Sequence, residues 1–355
     1  MRPRLAELLA CPECSGPLRL EIQQSDNEEI LAGLLGCPKC RCHFPIRDGI
    51  PRFVPSDAYM SSSNFEWKRW RRTKFDAESR KLSESAFVIS TGTRPQELAG
   101  KLVLDVGCGS GRFMDVVAES GAETVGLDPS LAVDVARENL HSLPNCHFIQ
   151  ADALFPPFRP ATFDFAYSIG VLTNTSDSRE GFRRMAATVK PRGAAAIWVY
   201  PLRRLTETFQ YFPEQVNEAL AQDSDYQIPA KWQKLVSRLA PELDGARESS
   251  SRLERFFTTR LPSRWLYALC HVAIPLYYAY RVPVFYPFRL LTKIAMHADP
   301  EWRVLDTFDW YSPRYQWKHT YPQVQAWFEK AGFENITYLP RPVAVRGNKP
   351  RSLTA

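Results

Sequence analysis

Residues 103–113 read Val-Leu-Asp-Val-Gly-Cys-Gly-Ser-Gly-Arg-Phe, an apolar run that enters a glycine-rich turn and continues into a helix start. Gly107, Gly109 and Gly111 let the backbone of such a turn pass close to a ligand, because no Cβ intervenes. The acid narrows the choice of ligand. Asp105 stands just before the turn, where a carboxylate would oppose a pyrophosphate docked on the following helix N-terminus. It suits instead a ligand that carries an ammonium and a sulfonium. Two further acids stand at the ends of later apolar runs. Asp128 closes the run at 123–128, where doubly wound folds hold ribose hydroxyls, and Asp152 follows the run at 146–150, within reach of an adenine amino group.

A second constellation lies upstream. Cys11-Pro-Glu-Cys14 and Cys37-Pro-Lys-Cys40 form two Cys-x-x-Cys turns, the pattern of a tetrahedral four-thiolate zinc site. A closed set of four thiolates leaves no open position for a substrate, so the expected role is structural. Cys42 is a spare thiol beside them, and Cys108, Cys146 and Cys270 are scattered. Arg2, Arg4, Glu7 and Glu13 interrupt the stretch that a secretory leader would keep apolar. The expectation is therefore a cytoplasmic chain whose paired thiols bind metal rather than form disulfides.

These residues need a framework. Strands expected at 101–106, 123–128, 146–150, 163–168 and 194–200 alternate with helices at 111–120, 130–141 and 178–189. That rhythm predicts a parallel sheet with helices on both faces. A further helix should start at Thr320, with Gln323 completing a capping box, and stop at Gly332; strands at 334–339 and 342–346 follow. The expected fold is α/β, a doubly wound, seven-stranded, mostly parallel sheet with a small N-terminal zinc ribbon and a helical insertion. Its divisions are a ribbon at 1–56, a linker with an aromatic and basic cap helix at 57–100, the sheet domain at 101–200 plus 301–355, and an insertion at 201–300. Within the ribbon, residues 44–51 read as a strand turning at Asp48-Gly49, and the polar residues 23–29 separate the two cysteine turns.

Residues 101–200 with 320–347 resemble the class I S-adenosylmethionine-dependent methyltransferases. The matching parts are Val-Leu-Asp-Val-Gly-Cys-Gly-Ser-Gly, Gly126-Leu-Asp-Pro-Ser130, Gln150-Ala-Asp-Ala153, and Phe-Asp-Phe-Ala-Tyr-Ser-Ile-Gly-Val-Leu at 163–172. The resemblance implies S-adenosylmethionine as cofactor and a Rossmann-like fold. It implies Asp105 and Gly107 near the methionine part, Asp128 on the ribose and Asp152 on the adenine; Gly109, Gly111, Ala153 and Ser168 complete the expected cofactor-binding set. One departure matters. Small-molecule members often carry Val-Leu-His-His after the fourth strand, and here Val171-Leu-Thr-Asn174 stands there. The Asn/Asp-Pro-Pro-Tyr signature of many amino-group methyltransferases is also missing, which tilts the expected acceptor toward a hydroxyl or a carbon centre. The cysteine-rich head resembles the small zinc-ribbon activators of tRNA and release-factor methyltransferases, through Cys-Pro-x-Cys, Leu-x-Cys-x-x-Cys and Phe-Pro-Ile-x-Asp-Gly-Ile-Pro. That implies a ribbon that docks on the catalytic domain and shapes its acceptor side.

Methyl transfer to a hydroxyl would benefit from a base, and His319, just before the capped helix, is the candidate; Asp309, Tyr311 and Tyr315 are weaker ones. The net charge of +6 is too small for a wide nucleic-acid footprint. The aromatic and basic residues 65–74 therefore read as a helix whose Phe65 and Trp70 pack while its charges are solvated, and the resemblance to methyltransferases implies that it lies over the cofactor. Residues 265–280 are mostly apolar but too short to cross a bilayer. They read first as a lid over the acceptor, with a dimer surface as an alternative. Arg260, Arg264, Arg281 and Arg289, among many aromatics, also suit peripheral contact with a membrane through 262–295. The expected acceptor is a small-molecule, glycan or lipid-like compound. The alternatives are tRNA or protein methylation, and a non-catalytic cofactor-binding module, which the intact turn and aspartates argue against.

Overall fold

The computed structural model describes residues 1–55, 64–65, 69–70, 77–202, 254–285, 294–296 and 299–351. The expected linker, most of the cap helix at 65–74, residues 203–253 of the insertion and residues 286–293 of the candidate membrane segment lie outside the described residues.

Each cysteine pair sits on a turn closed by its own backbone. The Ser15 N–H donates to the Cys11 carbonyl (2.8 Å) and the Arg41 N–H to the Cys37 carbonyl (2.9 Å). Ser15 and Arg41 both take left-handed φ values, 55° and 61°. Helix α1 (Pro3–Leu8) precedes the first turn, and strands β1 (Arg19–Asp26), β2 (Glu29–Gly36), β3 (His43–Arg47) and β4 (Ile50–Pro51) form an antiparallel sheet in chain order. Residues 23–29, expected to separate the cysteine turns, are instead part of the β1–β2 hairpin, with Asp26 opposite Glu29. Nearly all of β1 faces solvent, so its sequence carries no apolar period to read.

Next come helix α2 (Ala77–Thr91), β5 (Leu102–Val106), α3 (Arg112–Glu119), β6 (Glu123–Asp128), α4 (Ala132–Asn139), β7 (Cys146–Gln150), β8 (Phe163–Ile169), α5 (Ser178–Ala187) and β9 (Val189–Trp198). Strands β5 to β9 are parallel, and β5 and β7 are buried along their whole length, as two-sided burial requires. The large sheet has the order β10-β11-β9-β8-β5-β6-β7, where β10 (Glu334–Leu339) and β11 (Ala344–Asn348) end the chain's regular structure and β11 runs antiparallel to both neighbours. This is the expected seven-stranded, mostly parallel sheet. Chain direction across it reverses between β5 and β8, and such a switch point opens a crevice at the strands' carboxyl ends.

The chain divides into two compact units, Met1–Tyr200 with His319–Ala355, and Pro201–Lys318. The ribbon thus belongs to the same unit as the large sheet. Residues 301–318, expected with the sheet domain, group with the insertion instead. In that second unit the apolar run 265–280 is not one element. It forms α6 (Ser263–Cys270) and α7 (Ala273–Arg281), and α8 (Pro300–Tyr311) follows, capped by the Asp299 side chain accepting from the Trp302 N–H (3.0 Å). Among the described residues no helix is long and apolar enough to cross a membrane. Back in the first unit, the last helix, α9 (Tyr321–Lys330), has the expected Thr320/Gln323 capping box.

The ribbon is fastened to the large sheet at its β7 edge. Arg52 forms a parallel bridge with Gln150, and the Phe53 N–H donates to the Gln150 carbonyl (2.8 Å). The Arg52 side chain, only 5% exposed, grips both carboxylate oxygens of Asp134 (2.6 and 3.0 Å) and the Gln150 Oε1 (3.1 Å). Ile50, fully buried, joins Met114, Val133, Ala136, Leu140 and Phe148 in one core cluster. Burying a side chain of this size contributes about 1.5–3 kcal/mol. A second seam pairs Leu9 with Phe158, with the Ala10 N–H on the Pro157 carbonyl (2.9 Å). The residue that carries the first seam is testable. Arg52→Ala should lower the free energy of urea unfolding by about 1–3 kcal/mol, because it strands Asp134 and Gln150. Arg52→Lys should recover only part of the loss, since an ammonium cannot grip two oxygens in one plane.

Candidate active site and metal centre

The glycine-rich turn between β5 and α3 is tied to the end of β6. The Gly107 and Cys108 N–H groups donate to the Leu127 carbonyl (2.7 and 3.1 Å), and the Gly109 N–H donates to the Asp128 Oδ2 (3.2 Å). Gly107 and Gly111 both have φ near +90°, which disfavours any side chain there. Space adds a second reason. A Cβ on Gly107 would lie 2.3 Å from the Val171 side chain, and one on Gly111 would lie 2.8 Å from Leu140. These two glycines therefore serve close packing of the turn against the chain after β8 and against α4, beyond the ligand approach expected from the sequence.

Asp105 is 2% exposed in the middle of the sheet, opposite Gly126 on β6 and Tyr167 on β8. Its Oδ2 accepts from the Tyr167 hydroxyl (2.9 Å), whose ring is held edge-on by Phe87 of α2 at 5.1 Å. Burial pushes the Asp105 carboxyl up to about 8; the Tyr167 hydroxyl opposes that rise and the nearby Asp128 charge adds to it. Burial raises Asp128 too, although the Ser130 hydroxyl (2.6 Å) and N–H (2.9 Å) both donate to its Oδ1. Asp152 stands one strand further out. Its Oδ1 accepts from the Leu154 N–H (2.9 Å), and the Ala151 N–H donates to the Asp128 carbonyl (3.1 Å), which joins the ends of β6 and β7. Ala153 is buried beside it. Ser168 is fully buried, with its hydroxyl donating to the Val106 carbonyl (2.9 Å), so it fastens β8 to the end of β5. The three acids thus line the carboxyl edge in the strand order β5, β6, β7. Buried carboxylates in one corner are the acceptors that a cationic nucleoside requires, and the set fits S-adenosylmethionine.

His319 lies outside this corner but in the same unit. Its N–H donates to the carbonyl of Tyr200, just past the carboxyl end of β9 (2.8 Å), and its ring meets Trp327 edge-on at 4.8 Å. Its Nε2 is buried without a hydrogen-bond partner, and burial drives its pKa down to about 4. Asp309, Tyr311 and Tyr315 fall in the second unit.

Helix α2 was not expected from the sequence. It supplies Phe87 to Tyr167, and its Ser83 hydroxyl accepts from the Arg112 Nε at the start of α3 (2.7 Å). Arg52, equally unforeseen, reaches from the ribbon to Asp134 and Gln150, which stand next to the loops bearing Asp128 and Asp152.

In the ribbon, the sulfurs of Cys11, Cys14, Cys37 and Cys40 all lie within 4.8 Å of one another, with Cys11–Cys40 and Cys14–Cys37 each at 3.4 Å. Cys42 lies outside that group. The Cys40 thiol is held down at about 6, chiefly by the Cys42 backbone N–H, while burial pushes Cys11 up to about 12. Four thiols this close become thiolates together only around a cation, and four sulfurs on two such turns are the donor set of a structural zinc site.

Residues 104–197 match the methyltransferase domain family, and residues 2–49 match the Trm112p-like protein family. The chain carries a methyltransferase domain behind a Trm112p-like N-terminal domain. It is 31% identical over 119 residues to the probable tRNA methyltransferase 9B of Homo sapiens, covering 32% of this chain and 25% of that protein. It is 37% identical over 110 residues to the ubiquinone biosynthesis O-methyltransferase of Albidiferax ferrireducens, covering 29% of this chain and 41% of that protein. The chain therefore spans less than half of either relative. Among solved structures, the complex between the Haloferax volcanii Trm112 methyltransferase activator and a methyltransferase is matched at a TM-score of 0.34 and 20% identity, over 42% of this chain and 64% of that one.

The raised Asp105 sets a sign. A ligand ammonium set against Asp105 favours the carboxylate, so binding below pH 8 should expel a proton, and affinity should strengthen as pH rises toward about 8. Calorimetry of S-adenosylhomocysteine binding in buffers of different ionisation enthalpy measures that proton directly. Tyr167→Phe removes the hydroxyl that favours the carboxylate and should move the pH dependence upward. In the ligand-free protein the same burial makes ionisation costly, so this group's contribution to stability should fall as pH rises from 3.8 through about 8.

Proposed function

We propose that this chain transfers a methyl group from S-adenosylmethionine to a hydroxyl or carbon of a small, lipid-like acceptor. The observation that carries the reading is the succession of Asp105, Asp128 and Asp152 along the carboxyl edge of β5, β6 and β7, beside a turn whose glycines adopt positive φ. The cofactor, when bound, supplies a methyl group already activated for displacement. The protein's part is to hold and align. Asp105, steadied by Tyr167, would face the ammonium of the methionine portion. Asp128 retains acceptor capacity for ribose hydroxyls, and Asp152 is at the adenine end. A hydroxyl acceptor is favoured because one relative is named as a ubiquinone biosynthesis O-methyltransferase.

His319 is the proposed base. Its Nε2 has no partner in the described structure, and with a pKa near 4 it is neutral at physiological pH, free to accept a proton from a hydroxyl. Its limb of the pH–rate profile should therefore lie near 4, with activity lost as pH falls through it. His319→Ala should lower kcat by about a hundredfold while leaving S-adenosylhomocysteine affinity intact. Unchanged turnover would remove His319 from the mechanism.

A second reading, methylation of tRNA, is supported by the Trm112p-like head and by the human relative's name. Transfer of labelled methyl groups from S-adenosylmethionine to hydroxylated quinones and to unmodified tRNA, run side by side, separates the two. The cofactor itself is tested first, by titrating the full chain with S-adenosylhomocysteine. Binding that Asp128→Ala weakens roughly tenfold or more supports the assignment; no binding by the intact chain overturns it.

The ribbon's proposed ligand is structural zinc, bound by Cys11, Cys14, Cys37 and Cys40. Elemental analysis of protein purified without chelator should find one equivalent, and Cys37→Ser should lower the melting temperature. Absence of zinc together with an unchanged melting temperature would refute it.

A further inference from the structure

The second unit exposes more apolar surface than a solvated lid should. Of the sixteen large hydrophobic residues that are exposed among those described, ten fall between Phe256 and Phe285. Helix α6 shows why. Leu266 and Cys270 are buried on one side of it. On another side Trp265, Leu269 and Val272 are 61%, 53% and 48% exposed. Their i, i+4, i+7 spacing makes one continuous stripe along the helix and just past its end. Phe256 and Tyr278, before and after it, are 53% and 60% exposed.

The sequence of this stretch is one-sided in charge. From Arg255 to Ala298 the sequence contains no Asp or Glu but has Arg255, Arg260, Arg264, Arg281, Arg289 and Lys293. Six cations over this stretch equal the net charge of the entire chain, +6. The Arg260 guanidinium lies 3.7 Å over the Phe256 ring and that of Arg281 5.5 Å from the Tyr277 ring, so the cations ride on the aromatic surface itself.

We infer that this surface of the second unit docks on an anionic lipid bilayer, with Trp265, Leu269 and Val272 inserted among the acyl chains and the arginines at the headgroups. A helix with apolar residues on its outer face and cations on its flanks lies in the interface plane. Aliphatic side chains such as Leu269 and Val272 gain from leaving water but offer nothing to a base or a phosphate, which sets this surface apart from a nucleic-acid site. A stretch of chain that carries cations and no carboxylate matches the negative potential of anionic headgroups. Peripheral docking is compatible with α6 and α7 each being too short to span a bilayer. The inference does not need methyl transfer to occur, and its test does not measure it.

The experiment is co-sedimentation of the full chain with vesicles of phosphatidylcholine alone and of phosphatidylcholine mixed with phosphatidylglycerol, at low and high salt. Binding to the mixed vesicles, weakened by salt, is expected. The double variant Trp265→Glu/Leu269→Glu should reduce it roughly tenfold or more. Retained S-adenosylhomocysteine binding by that variant would verify its fold; should that be lost, Leu269→Ser/Val272→Ser replaces it as the test. No binding by the intact chain, or binding that the folded variants leave unchanged, overturns the inference. So does a stripe that instead mediates self-association or tRNA binding, seen as loss of either in the variants without loss of vesicle binding.

Discussion

The fold of the first unit turns on one guanidinium. Arg52 leaves the ribbon's last strand and enters the edge of the large sheet, where its fork meets Asp134 on α4 and the amide of Gln150 at the end of β7. Such a charge would be costly to bury alone and becomes tolerable through bidentate contact with a carboxylate. Asp134 lies shortly after the loop that bears Asp128, and Gln150 shortly before Asp152. The same side chain therefore braces the two loops that bear Asp128 and Asp152. Ile50 completes the joint by filling a core formed mainly by α3, α4 and β7. Ribbon and sheet share this core and are best understood as one unit.

The catalytic framework was legible because its sequence obeys local rules. Strands β6, β7 and β10 fall at their expected bounds, as does the Thr320/Gln323 capping box. Buried parallel strands read as unbroken apolar runs, and caps depend on residues only three positions apart. The cysteine turns were legible for a similar reason, since metal-ligand spacing is local chemistry.

What escaped depends on distance or on packing without an apolar period. Helix α2 buries Ser83, Ser90 and Thr91 alongside Phe87, so most of its inward positions are polar or small and no stripe marks it. Strand β9 begins at Val189 and passes through Lys190, Pro191, Arg192 and Gly193, residues that read as a loop. The hairpin strand β1 is polar because it is an exposed edge. Arg52 could not be assigned from sequence because its partners lie 82 and 98 residues away. In the second unit, the run at 265–280 looked like a single buried segment, yet it breaks at His271-Val272, and its outward side chains stay in water.

The long reach of Arg52 bears on the order of events during synthesis. The cysteine turns and the β1–β2 hairpin need only neighbours close in sequence, and can close as soon as they leave the ribosome. Their apolar underside, Ile50 above all, then waits until α3, α4 and β7 have been made. During that interval a nascent chain presents a finished pair of cysteine turns with an unfinished seam. The stage most exposed to misassembly is therefore neither the ribbon nor the sheet but the span of translation between them.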